Sequence, residues 1–144
     1  MGARSYTVTR SIGAPAPTVW GLLTDASSYS RWNRAVISIE GPISMGNRIK
    51  LVSVADPKRT FKLKVTAMQA PTHMVWADGM PLGLFSGQRT YTITERGATH
   101  CEFTMTEEFS GPLAALITKA IPDLTPSFET FADGLKAEAE AITR

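Results

Sequence analysis

The sequence predicts an α+β fold in which a meandering antiparallel sheet packs against a long, kinked C-terminal helix. Two patterns carry this prediction. Between residues 36 and 109, apolar and polar residues alternate over short segments that are separated by turn residues, and after Gly111 the apolar spacing changes to three and four residues. A sheet with one apolar face and an amphipathic helix each need a partner that buries that face. We therefore expect the helix to lie on the sheet.

Composition and charge narrow the class of protein. A chain of 144 residues favours a single domain, residues 1–144, with a substantial core. The formal net charge is +2 and the basic residues form no continuous cluster, which argues against nucleic-acid binding. The single cysteine, Cys101, excludes an internal disulfide and a thiolate metal cluster. No signal pattern and no apolar run long enough to cross a bilayer is present, so we expect a cytoplasmic protein without stable membrane insertion.

The strands follow from alternation and the short helices from proline placement. After the first strand, Pro17 suits the first turn of a helix that carries Val19, Trp20 and Leu23, and a second helical turn is expected across Ser27–Trp32. Asp56-Pro57 is expected to form the turn between two central strands. The predicted strands are Tyr6–Ile12, Val36–Glu40, Arg48–Val54, Thr60–Ala67, His73–Asp78, Gly87–Glu95 and Thr99–Phe109.

The last two strands permit a prediction about which side chains face inward. The large apolar residues Tyr91 and Ile93 are odd-numbered, and so are Cys101, Phe103, Met105 and Phe109 on the next strand. Odd residues face each other across an antiparallel pair when the connecting loop holds an odd number of residues, which the three residues 96–98 satisfy. Arg89 and Glu107 are odd as well. We therefore expect both to point inward and to pair.

The C-terminal segment, Gly111 to Arg144, is predicted to form one helix in two halves. Leu113 to Ile121 form the first apolar stripe, and the second includes the two aromatic residues Phe128 and Phe131. Pro122 and Pro126 predict a kink at the join, with Thr125 as the cap of the second half and Ser110 or Gly111 at the start of the first.

Several motifs resemble the START-like superfamily (SRPBCC), in its polyketide cyclase/dehydrase-type branch. They are Ile12, Ala14-Pro15, Val19-Trp20, Leu22-Leu23, Asp25, Tyr29, Trp32-Asn33, Gly46-Asn47-Arg48, Val75-Trp76 and Glu107-Glu108-Phe109-Ser110-Gly111. The chain departs from the family pattern at Arg34, where a proline is usual. The resemblance implies the helix-grip fold: a curved seven-stranded sheet wrapped around a long kinked helix, two short helices after the first strand, and a cavity between sheet and helix. It specifies the fold better than the chemistry.

Arg89 and Glu107 are the candidate polar site. Two inward charges in an apolar sheet are costly unless they pair with each other or with a ligand. They are expected either to anchor a polar group of a ligand, with Glu107 available as an acid or base, or to form an internal ion pair that closes one end of the barrel. The sequence does not decide between a ligand anchor and a structural ion pair.

A larger set of residues is expected to line the cavity. These candidate ligand-binding residues are Trp76, Arg89, Tyr91, Phe103, Met105, Glu107, Ile117, Ile121, Phe128 and Phe131, with Asp78 near the mouth. The alternative for the aromatic and methionine residues is plain core packing. The glycine-rich apolar loop that holds Met80, Leu82, Leu84 and Phe85 is expected to act as a gate over the cavity, or to fold back over its rim.

Three functions remain compatible with the sequence. The first is binding of a hydrophobic small molecule: a lipid, an isoprenoid or an aromatic polyketide. The second is a polyketide cyclase or dehydratase that uses Arg89 and Glu107. The third is a non-catalytic module that binds an unknown protein partner through the 80–85 loop and the outer basic face of the sheet, which is formed by Arg48, Lys50, Lys62 and Lys64. Neither His73 nor His100 has ligand-spaced neighbours, so no metal is expected, and no dinucleotide or phosphate-binding motif points to a cofactor.

Overall fold

A computed structural model describes residues 4–79, 81–119 and 123–143. Seven antiparallel strands form one sheet, in the order β1-β7-β6-β5-β4-β3-β2. The strands are β1 Arg4–Ile12, β2 Val36–Glu40, β3 Arg48–Ser53, β4 Asp56–Gln69, β5 His73–Gly79, β6 Ser86–Glu95 and β7 Cys101–Ser110. The helices are α1 Ala16–Leu23, α2 Tyr29–Trp32, α3 Ala114–Thr118 and α4 Thr125–Thr143, and single 3₁₀ turns span Ala26–Ser28 and Pro81–Gly83. The predicted α+β architecture is confirmed.

The chain connectivity places the short helices across the open side of the sheet. Strands β2 to β7 follow one another as a meander, while β1 pairs with β7 and so lies at the edge opposite β2. The segment that carries α1 and α2 joins those two edges, and both helices contact α4. The curved sheet and the short helices therefore enclose α4 from several sides.

Phe131 lies at the centre of the core and shows how α4 is held. Its ring stacks on Tyr91 of the sheet, with centroids 5.7 Å apart, and meets Trp32 and Tyr29 edge-on at 5.5 and 5.9 Å. Aromatic pairs in these arrangements add to the stabilisation from buried area. One side of α4 is thus fixed by the sheet and another by α2. Outside the core, Arg10 of β1 donates to Asp133 at 2.7 Å.

The predicted inward parity of β6 and β7 is confirmed, but the length of their loop is not. Buried and less buried residues alternate along β7, and Arg89 lies directly opposite Glu107. The hairpin closes with Glu95 opposite Cys101, so the loop comprises residues 96–100, and the N–H of Arg96 donates to the carbonyl of His100 at 2.9 Å. The predicted and the observed loop both contain an odd number of residues. Either length places odd-numbered residues of β6 opposite odd-numbered residues of β7, so the predicted inward facing is correct. Gly97 has the expected positive φ, 110°.

The prediction of a turn at Asp56-Pro57 is wrong. Ser53 pairs with Asp56, so the turn consists of Val54 and Ala55, and Asp56 and Pro57 begin β4. The pairing of β4 with β5 starts only at Lys64, so Pro57 lies where β4 has a single neighbouring strand. A strand edge without a neighbour tolerates the missing N–H of proline.

The two halves of the C-terminal segment are separate helices in the described residues. The first is shorter than predicted and begins at Ala114 rather than near Ser110 or Gly111. The second begins at Thr125, which is therefore its first helical residue and not its cap. The side chain that accepts a backbone N–H at this helix start is Asp123, which accepts the N–H of Thr125 at 3.0 Å. Pro122, part of the predicted kink, lies outside the described residues. No helix in the described ranges has the length and apolar character to span a membrane.

Candidate functional site

The sheet register places Arg89 and Glu107 in the middle of a row of inward side chains. Trp76 of β5 is opposite Arg89, Arg89 is opposite Glu107 of β7, and Glu107 is opposite Tyr6 of β1. The period-two pattern of each strand sends all these side chains to the concave face. The pair therefore lies between aromatic neighbours, facing α4.

Arg89 and Glu107 form a nearly buried ion pair with unused hydrogen-bonding capacity. Arg89 Nε donates to Glu107 Oε1 at 3.0 Å, and the two side chains are only 14% and 10% exposed. The guanidinium carbon lies 4.8 Å from the centroid of the Phe128 ring, in cation–π contact. Among the described residues, no acceptor is hydrogen-bonded to Arg89 Nη1 or Nη2. A guanidinium carries five N–H donors, and Glu107 uses only the one on Nε.

Burial and neighbouring charges set the ionisation of this pair. Burial raises the pKa of Glu107, the guanidinium of Arg89 lowers it, and the carboxylate of Asp78 raises it further, so that the net shift is upward. Burial opposes the charge of Arg89, but the carboxylate of Glu107 favours it, and the pKa of Arg89 is raised overall. Arg89 is therefore a permanent cation, whereas Glu107 is the group that can change its charge.

Two polar atoms lie unpartnered beside the pair. Tyr91 Oη and Trp76 Nε1 are fully buried and make no hydrogen bond within the described part of the chain. Arg89 favours the ionised form of Tyr91, but no pair of atoms between them has the distance and angle of a hydrogen bond, and burial still raises the pKa of the Tyr91 phenol. Tyr91 is thus a neutral phenol. Buried polar atoms are normally paired, so these two mark a polar region next to the ion pair.

A cavity of about 90 Å³ opens between the concave face of the sheet, α3 and the first turns of α4. It is lined by five phenylalanines (Phe61, Phe85, Phe109, Phe128 and Phe131), by Ala35, Val36, Leu51, Leu63, Ala55, Met105, Ile117, Leu124 and Gly87, and by the polar residues Ser53, Asp56, Arg59, Asp78, Arg89, Glu107 and Ser127. A buried water needs a cavity volume of about 10–15 Å³, so this cavity can hold several waters or a small organic group. The walls are apolar and the nearly buried charges are those of Arg89 and Glu107.

Six of the ten candidate ligand-binding residues line this cavity: Arg89, Met105, Glu107, Ile117, Phe128 and Phe131. Trp76, Tyr91 and Phe103 do not. Phe131 stacks on Tyr91 and lies parallel to Phe103 at 6.5 Å, and Tyr91 meets Trp76 edge-on at 4.9 Å. All three are fully buried, and Phe131 of α4 packs on Tyr91 and Phe103. Ile121 lies outside the described residues.

The loop predicted as a gate divides into a lining residue and exposed residues. Phe85 lines the cavity and stacks on Phe109 at 5.7 Å, whereas Leu82 is 95% exposed and Leu84 is also exposed. Met80 lies outside the described residues. The carbonyl of Leu84 accepts the N–H of Leu113 at 2.9 Å, so the end of the loop is attached to the start of α3.

The wall of the cavity formed by β3 and β4 was not predicted from the sequence. Phe61 and Leu63 alternate with lysines along β4, which indicates an inward face, but this pattern does not distinguish a site residue from a core residue. Asp56 was expected in a turn, and Arg59 was not predicted as a site residue. The guanidinium of Arg59 lies 5.3 Å from the centroid of the Phe61 ring. Asp78 lines the cavity, as expected from the sequence. The described residues hold no cluster of histidine, cysteine, aspartate and glutamate that fits a metal ion.

Solved structures with the same architecture are distant in sequence. The Zhui aromatase/cyclase from Streptomyces sp. R1128 superposes with a TM-score of 0.77 at 16% identity, covering 99% of this chain and 96% of that chain. A point mutant of norcoclaurine synthase from Thalictrum flavum gives 0.74 at 14% identity, covering 99% and 97%. A START superfamily protein from Mycobacterium smegmatis gives 0.69 at 14% identity, covering 96% and 98%. These likenesses confirm the helix-grip fold.

Comparison of the sequence with family profiles identifies the family of this chain. No curated protein matches the chain significantly. The profile of one family, described as polyketide cyclase/dehydrase and lipid transport, matches residues 3–140, which is nearly the whole chain. The match agrees with the resemblance found in the motifs and with the START-like neighbours. The protein therefore belongs to the polyketide cyclase/dehydrase and lipid transport family.

Proposed function

We propose that this protein binds a hydrophobic small molecule in the cavity between the sheet and α4. The observation that carries the proposal is the cavity itself, in which apolar walls surround the unused N–H donors of Arg89. Ligand sites are typically apolar spaces with a few polar groups that orient the ligand. A lipid, an isoprenoid or an aromatic polyketide satisfies that description.

The size of the cavity sets a condition on the ligand. Sites for larger ligands typically measure about 300–1,000 Å³, which exceeds the present space. Arg59 and Phe85 border the cavity without being buried, so they are the side chains that a larger ligand would displace. We propose that the 81–85 segment acts as a gate through Phe85, with Leu82 and Leu84 exposed on its outer side.

The names of the structural neighbours do not decide between carrier and enzyme. The Streptomyces protein is named an aromatase/cyclase and the Thalictrum protein a synthase, while the Mycobacterium protein is named only by superfamily. At 14–16% identity the comparison transfers the fold and not the chemistry. The cavity of this chain is therefore the stronger guide.

Ligand binding can be tested by thermal shift and native mass spectrometry against fatty acids, isoprenoids and aromatic polyketides. Ser127 lines the cavity from α4, so Ser127→Phe should fill it and abolish any stabilisation by ligand. Thr130, exposed on the same helix, provides the control: Thr130→Phe adds the same ring outside the cavity and should leave ligand binding unchanged. If no compound stabilises the wild-type protein, the proposal fails.

A second function, cyclisation or dehydration of a polyketide-like substrate, is favoured by one observation. Glu107 is a buried carboxyl with a raised pKa beside a fixed cation, and it faces the cavity. Such a group can transfer protons in a site that excludes water. In that case Glu107→Gln and Arg89→Met should reduce turnover far more than binding, and unchanged turnover in both variants would remove this function.

A further inference from the structure

We infer that the cavity takes apolar carboxylic acids, and that the ligand carboxylate displaces Glu107 from Arg89 while Glu107 takes up one proton. The inference rests on the proposed binding function and names its ligand class. It predicts an effect that a plain apolar carrier does not show, namely binding coupled to proton uptake.

The contact between Arg89 and Glu107 is well suited to exchange. It joins the single atoms Nε and Oε1 at 3.0 Å, rather than forming the two parallel bonds of a bidentate pair. Both residues line the cavity, and Nη1 and Nη2 of Arg89 have no acceptor among the described residues. A ligand carboxylate can therefore engage the guanidinium in the bidentate geometry that Glu107 does not use.

Glu107 has a second carboxylate oxygen that Arg89 does not use. The hydrogen bond to Arg89 engages only Oε1, and no other described residue is hydrogen-bonded to Oε2. Glu107 lines the cavity together with Gly87, and the Phe109 ring packs against the Gly87 backbone. The second carboxylate oxygen of Glu107 can thus meet a ligand group directly.

Charge balance then requires a proton. Arg89 and Glu107 are neutral as a pair, so a second carboxylate at Arg89 leaves one uncompensated negative charge in a nearly buried site. The titratable or charged groups that face Glu107 are Tyr6 of β1, Asp78 of β5, Arg89 and Tyr91 of β6, and Asp56 and Arg59 of β4 at the cavity rim. The cavity-lining residues of α3 and α4 carry no charge.

A proton from solvent on Glu107 resolves the imbalance. The net change is the uptake of one H⁺ as Glu107 passes from carboxylate to carboxylic acid, while the ligand remains a carboxylate bound to Arg89. As an acid, Glu107 has an O–H that can donate to the ligand, so two carboxyl groups share one proton beside one arginine. Asp78, near Glu107, adds to the preference for the neutral form.

The ligand class follows from the count of charges. Among the residues that the structure describes, Arg89 is the one cation on the inner wall, since Arg59 lies at the exposed rim, and the remainder of the lining is largely aromatic and aliphatic. A single carboxylate on an apolar body matches one guanidinium. A phosphate or a dicarboxylate would bring a second charge into the apolar part of the cavity, where it has no partner.

The test compares acids with their uncharged amides by isothermal titration calorimetry. The probes are octanoic acid with octanamide and 2-naphthoic acid with 2-naphthamide. Titrations at one pH in buffers of different ionisation enthalpy give the number of protons taken up. We expect about one proton for each acid, none for the amides, and an acid affinity that falls about tenfold per pH unit wherever a full proton is taken up.

Two variants separate the roles of the pair, and a third serves as the control. Glu107→Gln should bind the acids without proton uptake, because residue 107 no longer titrates. Arg89→Met should lose the preference for acid over amide, by at least about tenfold, while still binding the amides. Glu102→Gln removes a carboxylate from an exposed pair with Arg96 on the outer surface and should keep the uptake of the wild type.

The outcomes distinguish this inference from the proposed function. Binding of the acids without proton uptake, or equal binding of acids and amides by the wild type, overturns the inference and leaves ligand binding intact. Absence of binding by every probe and by the wider ligand panel overturns both. The wild-type measurement decides the matter even if a variant fails to fold.

Discussion

The backbone of Gly134 on α4 lies directly against the carbonyl oxygen of Trp32 at the end of α2. A Cβ at residue 134 would overlap that oxygen. One turn earlier on the same helix, Phe131 packs against the Trp32 ring at 5.5 Å. The glycine therefore lets α4 approach α2 closely enough for Phe131 to reach the core. The same approach holds Phe128 and Phe131 in the wall of the cavity.

Gly134→Ala should consequently destabilise the protein by at least about 2 kcal/mol, because the methyl group meets backbone that cannot rotate away. Gly21 on α1 is the matched control, since a Cβ there meets nothing within 4 Å. Gly21→Ala should be neutral or should stabilise by about 0.5–1 kcal/mol, because alanine favours the helix. Urea unfolding of both variants measures this, and equal stabilities would contradict the importance of the contact.

The raised pKa of Glu107 predicts a pH dependence of stability. In the folded protein Glu107 holds its proton to higher pH than the ordinary value of 4.5, so the folded state binds more protons than the unfolded state above that value. Stability from this group is present at lower pH and is lost as pH rises from about 4.5 through the folded pKa. Melting temperatures of the wild type, relative to Glu107→Gln, should therefore decline with rising pH. A constant difference across that range would contradict the shift.

Cys101 should be unreactive in the folded protein. Its side chain is fully shielded from solvent, and burial raises the pKa of its thiol, with Glu95 adding to the effect from the opposite strand. The reactive thiolate is thus both scarce and inaccessible. A thiol reagent such as 5,5′-dithiobis(2-nitrobenzoate) should label one thiol in urea and none on the same timescale in buffer. Rapid labelling of the native protein would show that β7 opens locally.

Amide hydrogen exchange should be faster in α3 than in α4. Helix α3 spans five residues, of which two are buried, and Leu116 on it is 67% exposed, whereas α4 spans 19 residues with five buried along one face. Short helices with few buried contacts open at low free energy cost. Mass spectrometry of exchange, resolved by peptide, distinguishes the two helices. Uniform protection across both would contradict a mobile first half.

The facing of Arg89 and Glu107 could be predicted because it depends on local periodicity. Alternation along a strand assigns each side chain to a face, and an odd loop preserves that assignment, whether it has the three residues expected or the five observed. The turn at Val54 and Ala55 was missed for the opposite reason. Proline normally marks a turn, but Pro57 lies on a part of β4 with one neighbouring strand, and that pairing is not written in the local sequence.

Local patterns in the chain were enough to predict the α+β class, the inward faces of the strands, the aromatic stripe of the C-terminal segment and the family. Which inward residues line a cavity and which are core depends on the packing of distant segments. Tyr91 and Phe103 follow the same inward pattern as Met105, yet Phe131 packs on the first two, while Met105 lines the cavity. The physical reason is that burial of a side chain on a strand depends on what the opposing helix places above it. That placement depends on how closely α4 packs, which at Gly134 is set by a contact between residues a hundred positions apart.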